Sequence, residues 1–203
     1  MNYYVRRLAG FSVALFSLAA LQPLPASAAD EKGDFAVRGL GASQCSSFVE
    51  AAQGNQSSVG LFLAWIEGAV TAVNHVSPKT FDVVPFNSTA PFAAIVLDLC
   101  RQHPAASFDT AVRSAISFVE PLRISTNSPF VEMSVGRAKV TLRQYTLARV
   151  QQRLRELKLT RSPPSGKFDA ETRDAIKRFQ QARKLTVTEL PDPDTVLALL
   201  LQK

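Results

Sequence analysis

Residues 166–180 read "GKFDAETRDAIKRFQ". A glycine, an aromatic and an aspartate lead into a run in which Ala175, Ile176, Phe179 and Ala182 recur at helical spacing and form one apolar face. Asp169 is placed to cap that helix, and Glu171 stands in its first turn, where a carboxylate meets the positive end of the helix dipole. Upstream, Leu147, Val150, Leu154 and Leu157 form a stripe on "TLARVQQRLRELKL", and "SPPSG" is a turn. Downstream, "TVTELP" is a loop and Asp192-Pro193 opens a third helix with Val196, Leu199 and Leu200 inward. Period and caps thus give three short helices at this end of the chain and say nothing of function.

The other end differs. Residues 1–29, "MNYYVRRLAGFSVALFSLAALQPLPASAA", have a positive start at Arg6 and Arg7, an apolar run from Leu8 to Leu21 and a small-residue site at Ala26-Ser27-Ala28-Ala29. That is the pattern of a cleaved secretory signal peptide, and the apolar run is shorter than the roughly 20 residues that span a bilayer. No second apolar run approaches that length, so the expectation is a mature chain without an integral membrane segment, placed in the periplasm. Charge divides what remains. From Asp30 to Glu132 there are 6 Lys and Arg against 10 Asp and Glu; from Arg137 to Lys203 there are 15 against 7. A mildly acidic part is followed by a strongly basic one.

The acidic part reads as helical throughout. Ser43 is placed to cap a short helix with Cys45, Phe48, Val49 and Ala52 on one face. Val59, Phe62, Leu63, Ile66, Val70 and Val73 recur along a longer one. Ser88 or Thr89 caps a third helix with an early proline at Pro91 and a stripe of Phe92, Ile95, Val96, Leu99 and Cys100. Ser107 caps a fourth carrying Phe108, Ala111, Val112, Ala115, Ile116 and Val119, which stops near Pro121. Each stripe must bury against another, so four helices should close on a common core. Cys45 and Cys100 are the only cysteines, lie on apolar faces and belong to an oxidising compartment, so they are expected to pair. A catalytic thiol would need a basic partner that neither sequence context supplies.

Between the parts, "STNS" is a linker and "PFVEMSVGRAKVTLRQ" is a hairpin. Val131, Met133 and Val135 alternate before Gly136-Arg137, and Ala138, Val140 and Leu142 after it, the signature of a type II′ turn. The predicted fold class is mainly α: a disulfide-linked four-helix domain, a short β-hairpin connector and a three-helix domain. The boundaries are 1–29 for the signal peptide, 30–124, 125–142 and 143–203.

Two resemblances add to this reading. The early "CSSF", the long helix "FLAWIEGAVTAVN", the second cysteine in "LDLC" and "HPAASFDTAV" resemble the HdeA-like fold of periplasmic acid-stress chaperones and related immunity proteins of type VI secretion effectors. At the other end, "VQQRLRELKL", "GKFDAETRDAIKRFQQARKLTV" and "LPDPDTVLALL" resemble the peptidoglycan-binding domain family over about residues 146 to 201. Lys158 and Glu189 depart from it, standing where that family customarily has glycine, and Ser165 stands where an aspartate is common. The resemblance implies a non-catalytic periplasmic protein, associated with the cell wall, that binds peptidoglycan through its basic domain. The N-terminal domain would then meet an unidentified periplasmic protein. The alternative is a chaperone-like or effector-immunity protein anchored at the wall.

The residues offered for ligand contact are Arg153, Phe168, Thr172, Arg173, Lys177 and Gln180, with the exposed cations suited to the carboxylates of peptidoglycan stem peptides. Nucleic acid is not expected, because no basic motif is interleaved with aromatics. Neither a cofactor nor a metal is expected: His75 and His103 are the only histidines, too few for a zinc site of the familiar spacings. Glu67 beside Trp65 is the one acid a sugar-cleaving reading could use, and an exposed helical glutamate is more often a solvated one. No catalytic residue is assigned.

Overall fold

The computed structural model describes Asp30, residues 32–54 and residues 56–201. The expected signal peptide, residues 1–29, lies outside the described residues. The chain divides into two compact units, Met1–Ala36 and Val37–Lys203. In the first, the Asp30 carboxylate accepts from the backbone N–H groups of Lys32 and Asp34. The second holds every helix and strand described below.

Four helices pack around a knot of aromatic rings: α1 (Cys45–Gly54), α2 (Gln56–Val76), α3 (Thr89–Gln102) and α4 (Phe108–Val119). Phe108, the first residue of α4, is fully buried, and its ring lies 5.0 Å from Phe48, 4.8 Å from Phe62 and 5.5 Å from Trp65. Tilted and edge-on contacts of this kind add about 0.5–1.5 kcal/mol beyond the area they bury. Every α4 residue read as inward is buried. Ser107 caps the helix by accepting from the Thr110 N–H. At α1 the cap is different from the one expected of Ser43: the N–H groups of Cys45 and Ser46 donate to the carbonyls of Ala106 and Pro104, so the loop before α4 closes that helix end. The Cys45–Cys100 disulfide joins α1 to α3, with both residues fully buried.

Trp65 faces the chain that enters this domain. Its indole N–H donates to the Arg38 carbonyl, and a 3-10 turn at Gly39–Ala42 runs against the ring. A Cβ on Gly41 would overlap the Trp65 ring, so only glycine lets the backbone come this close. Along α2, Phe62 and Ile66 are buried, while Val59, Leu63, Val70 and Val73 are only partly so. The expectation that no second apolar run reaches membrane-spanning length is corrected here: Ser57–Val76 is long and apolar enough, with a mean hydropathy of 1.4. Alanines such as Ala64, Ala69 and Ala72 keep that mean high without forming a large apolar face, and the helix lays Phe62 and Ile66 into the aromatic core.

The loop after α2 carries core residues that helical periodicity does not reveal, Val83, Val84 and Phe86. Asn74 and Asp82 shape it. Asn74 Oδ1 accepts from the Val83 N–H at 2.8 Å, its Nδ2 donates to Asp82 Oδ1 at 3.1 Å, and the same oxygen accepts from the Val84 N–H at 3.0 Å. Asp82 also forms an antiparallel bridge with Ile124.

Strands β1 (Phe130–Val135) and β2 (Ala138–Arg143) pair from Phe130↔Arg143 to Val135↔Ala138, leaving Gly136-Arg137 as the turn. Gly136 has φ +58° and Arg137 does not share the left-handed region, the type II′ combination. Met133 and Leu142 bury the inner face. The stretch 125–128 is fastened. Arg143 places its guanidinium 4.6 Å from the Phe81 ring centre and 4.2 Å from that of Phe130, and donates to Asn127 Oδ1 and the Ser128 carbonyl. Ser128 Oγ accepts from the Tyr145 N–H, and Arg149 reaches the Pro121 carbonyl at 3.0 Å.

Opening the 55-residue loop closed by the disulfide restores unfolded-chain entropy worth roughly 4 kcal/mol in the loop-entropy model. Denaturant unfolding of a Cys45→Ala, Cys100→Ala variant should show a loss of that order. Thiol labelling of the denatured parent without reductant should find no free cysteine.

Candidate functional site

The basic end of the chain forms α5 (Gln144–Glu156), α6 (Ala170–Ala182) and α7 (Pro193–Leu200). Leu147, Val150 and Leu154 of α5 meet Ala175, Ile176 and Phe179 of α6 and Val196 and Leu199 of α7 in the core. Leu157 and Ala182, read as inward, lie on the surface, because the stripes end one turn earlier than the periodicity suggests.

Two buried glutamines hold the loops. Gln151 Oε1 accepts from the N–H groups of Ser165 at 2.9 Å and Gly166 at 2.7 Å, while its Nε2 donates to the Lys167 carbonyl at 2.8 Å and Thr172 Oγ1 at 2.9 Å. Gln180 repeats the arrangement one loop later. Its Oε1 accepts from the Glu189 N–H at 2.9 Å, and its Nε2 lies 2.9 Å from Thr188 Oγ1, 3.0 Å from the Leu190 carbonyl and 2.9 Å from Thr195 Oγ1. A buried carboxamide satisfied on both ends ties a loop as a short strand would, and leaving such a group unpaired costs about 1–3 kcal/mol. Gly166, at φ +67°, passes so close to α5 that a Cβ would stand 2.9 Å from the Gln144 carbonyl.

The helix ends show how the departures from glycine are accommodated. Lys158 and Lys184 adopt φ +59° and +57°, just past the last turns of α5 and α6. In each case the next residue, Leu159 or Leu185, bonds back to the carbonyl of Leu154 or Gln180, and the lysine N–H bonds to that of Arg155 or Gln181. This is the paired 6→1 and 5→2 closure that glycine usually serves. Glu189 likewise takes φ +61°. The loops keep a left-handed backbone at positions 158 and 189 although side chains stand there.

Each residue offered for ligand contact now has a place. Thr172 and Gln180 are buried and fasten turns. Phe168 is half-buried against the core. Arg153 donates to the Leu199 carbonyl and pairs with Glu156. Arg173 and Lys177 both pair with Glu189, and Lys177 first and Arg173 second hold its carboxyl below the usual range. These two cations therefore help secure the loop at 189. Glu171 does not simply face the helix dipole: the hydroxyls of Ser162 and Thr160 and the Arg161 N–H converge on it and bring its pKa down to about 2. Arg155, Lys158, Arg161, Lys167 and Lys184 make no ion pair among the described residues. Four of those five lie within the thirteen residues from 155 to 167, around the α5–α6 loop. Sequence reasoning missed Gln151 and this loop cluster; a glutamine one turn after Leu147, where the apolar stripe begins, is the signal that was there to use.

In the helical domain, Glu67 Oε1 accepts from the Thr89 hydroxyl at 2.5 Å, and Trp65 packs on the entering chain. No three His, Cys, Asp or Glu side chains among the described residues gather closely enough to hold a metal.

Residues 144–199 match the family model described as "Putative peptidoglycan binding domain". That span covers α5, α6 and nearly all of α7. No curated protein and no solved structure matches the chain.

Two expectations test this geometry. Lys158→Gly should raise stability by about 0.5–1 kcal/mol in denaturant unfolding, since glycine occupies φ > 0 without a Cβ penalty. For Glu171 the folded pKa lies below the unfolded value near 4.3, so its contribution is complete above that pH and disappears as pH falls toward 2. The melting-temperature gap between the parent and Glu171→Gln should close across that window, and an unchanged gap at pH 2 would contradict the assignment.

Proposed function

We propose that this is a non-catalytic secreted protein of the periplasm that docks on peptidoglycan through residues 143–203 and uses the disulfide domain, residues 30–124, to meet another protein. The observation that carries the reading is the match of residues 144–199 to a peptidoglycan-binding family model. Secretion rests on the pattern of residues 1–29, and a buried disulfide suits an oxidising compartment.

The contact surface proposed is the loop after α5. Arg155, Lys158, Arg161 and Lys167 offer cations that no carboxylate among the described residues pairs with, and peptidoglycan stem peptides carry carboxylates. Gln151 and Glu171 fix the backbone of that loop from beneath and from the side, so its cations are presented on a shaped surface. Arg153, Phe168, Thr172 and Gln180 enter the reading as supports of that surface. Arg173 and Lys177 act through Glu189. The disulfide domain offers Leu61 and Val76 on the outer side of α2, 64% and 75% exposed, as apolar points for a protein partner.

Sedimentation with insoluble peptidoglycan tests the reading. The full chain should pellet with it, and the bound fraction should fall as salt rises, since exposed charges are screened within roughly 10 Å at 0.1 M. A variant with Arg155, Lys158, Arg161 and Lys167 all changed to Gln should bind severalfold less while its melting temperature stays within a few degrees. A chain that remains in the supernatant at every salt concentration would overturn wall docking. Release of soluble muropeptides by the purified chain, abolished in Glu67→Gln, would overturn the non-catalytic part.

A further inference from the structure

Away from the basic module, the helical domain holds a cavity of about 210 Å³ between α2, the start of α3 and the loop that joins them. Its floor is apolar, with Ile66, Val70, Val84, Phe86 and Phe92. Its polar lining contains two carboxylates, Glu67 and Asp82, and no Lys, Arg or His.

Both carboxylates are held in place by one oxygen and have the other unused. Glu67 Oε1 accepts from the Thr89 hydroxyl, and no partner for Oε2 exists among the described residues. Asp82 Oδ1 accepts from the Asn74 amide and the Val84 N–H, and Oδ2 has no partner among the described residues. Two carboxylates with no cation among the cavity residues stand in a partly enclosed hollow beside an apolar floor. An anionic ligand would be repelled there, and a purely apolar one would leave the carboxylate oxygens to be stripped of water without compensation.

The geometry points to this cavity as a binding site for a primary ammonium carried on a short aliphatic chain, with Glu67 and Asp82 accepting from the ammonium and the chain lying on Val70, Val84 and Phe86. The volume is below the roughly 300 Å³ at which drug-sized sites begin, so the fitting group has the size of an amino-acid side chain. Asn74 is a positioning residue: by holding the loop at Val83 and Asp82 it sets where the second carboxylate stands. A second cavity of about 250 Å³ shares Phe86, Asn87 and Ser88 with the first and continues toward Pro191 and Pro193, so the remainder of a longer ligand has room beyond that partition. The first cavity has no lining residue from 143–203, so the ammonium site rests on observations separate from those behind wall docking.

Binding of n-pentylamine to the full chain, followed by amide NMR, tests it, with 1-pentanol as a probe of the same shape and no charge. Saturable shifts are expected at the Val84 N–H and the Asn74 side-chain amide. Hydrogen bonds to a charged group are worth about 1.5–3 kcal/mol, so pentanol should bind at least about tenfold more weakly. Glu67→Gln, which keeps an acceptor for Thr89, should weaken pentylamine by a similar factor, and so should Asp82→Asn. Equal binding of the two probes, unsaturable shifts, or an affinity unchanged in Glu67→Gln would each overturn the proposal. The pentanol comparison uses only the parent chain, so it remains decisive if Asp82→Asn disturbs the loop.

Discussion

The guanidinium of Arg143 sits where four parts of the chain meet. It stacks on Phe81 from the loop after α2 and on Phe130 from β1, and it donates to Asn127 and Ser128 in the connector. It also ends β2 at the residue before α5 begins. A cation on an aromatic face is worth about 0.5–2 kcal/mol depending on how dry it is, and hydrogen bonds from a charged donor add more. A lone two-stranded hairpin is marginal in water, and here the Arg143 contacts add to its six pairs and to the burial of Met133 and Leu142. Arg143, with its neighbours Tyr145 and Arg149, thus ties the connector and the start of α5 to the helical domain.

Within the C-terminal helices, the same economy is at work in a different chemistry. Gln151 and Gln180 replace apolar packing with satisfied carboxamides, and each fixes a loop that has no regular structure of its own. Lys158 and Glu189 then carry side chains on left-handed backbone that would be easier for glycine. At 189 the compensation is visible, since Arg173 and Lys177 both pair with the glutamate. At 158 the closing hydrogen bonds to Leu154 and Arg155 hold the turn, and the ammonium is left to solvent beside Arg161 and Lys167. The charges that shape the module and the charges left over for a ligand are thus different residues.

Much of the fold was legible because apolar residues at helical spacing have few ways to be satisfied. The α4 stripe, the caps at Ser107, Asp169 and Asp192, the cysteine pairing and the hairpin turn all follow from local chemistry. What was not legible depended on contacts distant in sequence. Val83, Val84 and Phe86 carry no period, and hydrogen bonds to Asn74 and Asp82 together with the bridge to Ile124 hold their loop. Thr172 and Gln180 look like surface polar residues until the loops they fasten are in place. The cations read as ligand contacts, Arg173 and Lys177, could not be separated from the uncompensated ones by composition, because Glu189 lies twelve residues beyond Lys177. The length and hydropathy of α2 were underestimated for a different reason: alanine between larger residues dilutes an apolar stripe to the eye while keeping its mean hydropathy high.

The fastened connector has a consequence for binding two things at once. A flexible tether gives its second site an effective concentration spread over all the distances the tether can reach. Here Ser125, Asn127 and Ser128 are bonded to Tyr145 and Arg143, so that spread collapses to one separation and one orientation. A pair of ligands joined at a matching spacing would gain the full avidity of simultaneous engagement, and a pair joined at any other spacing would gain none. If both proposed surfaces bind, the clamp makes the distance between them a selectivity rule, a kind of ruler that neither surface could provide alone.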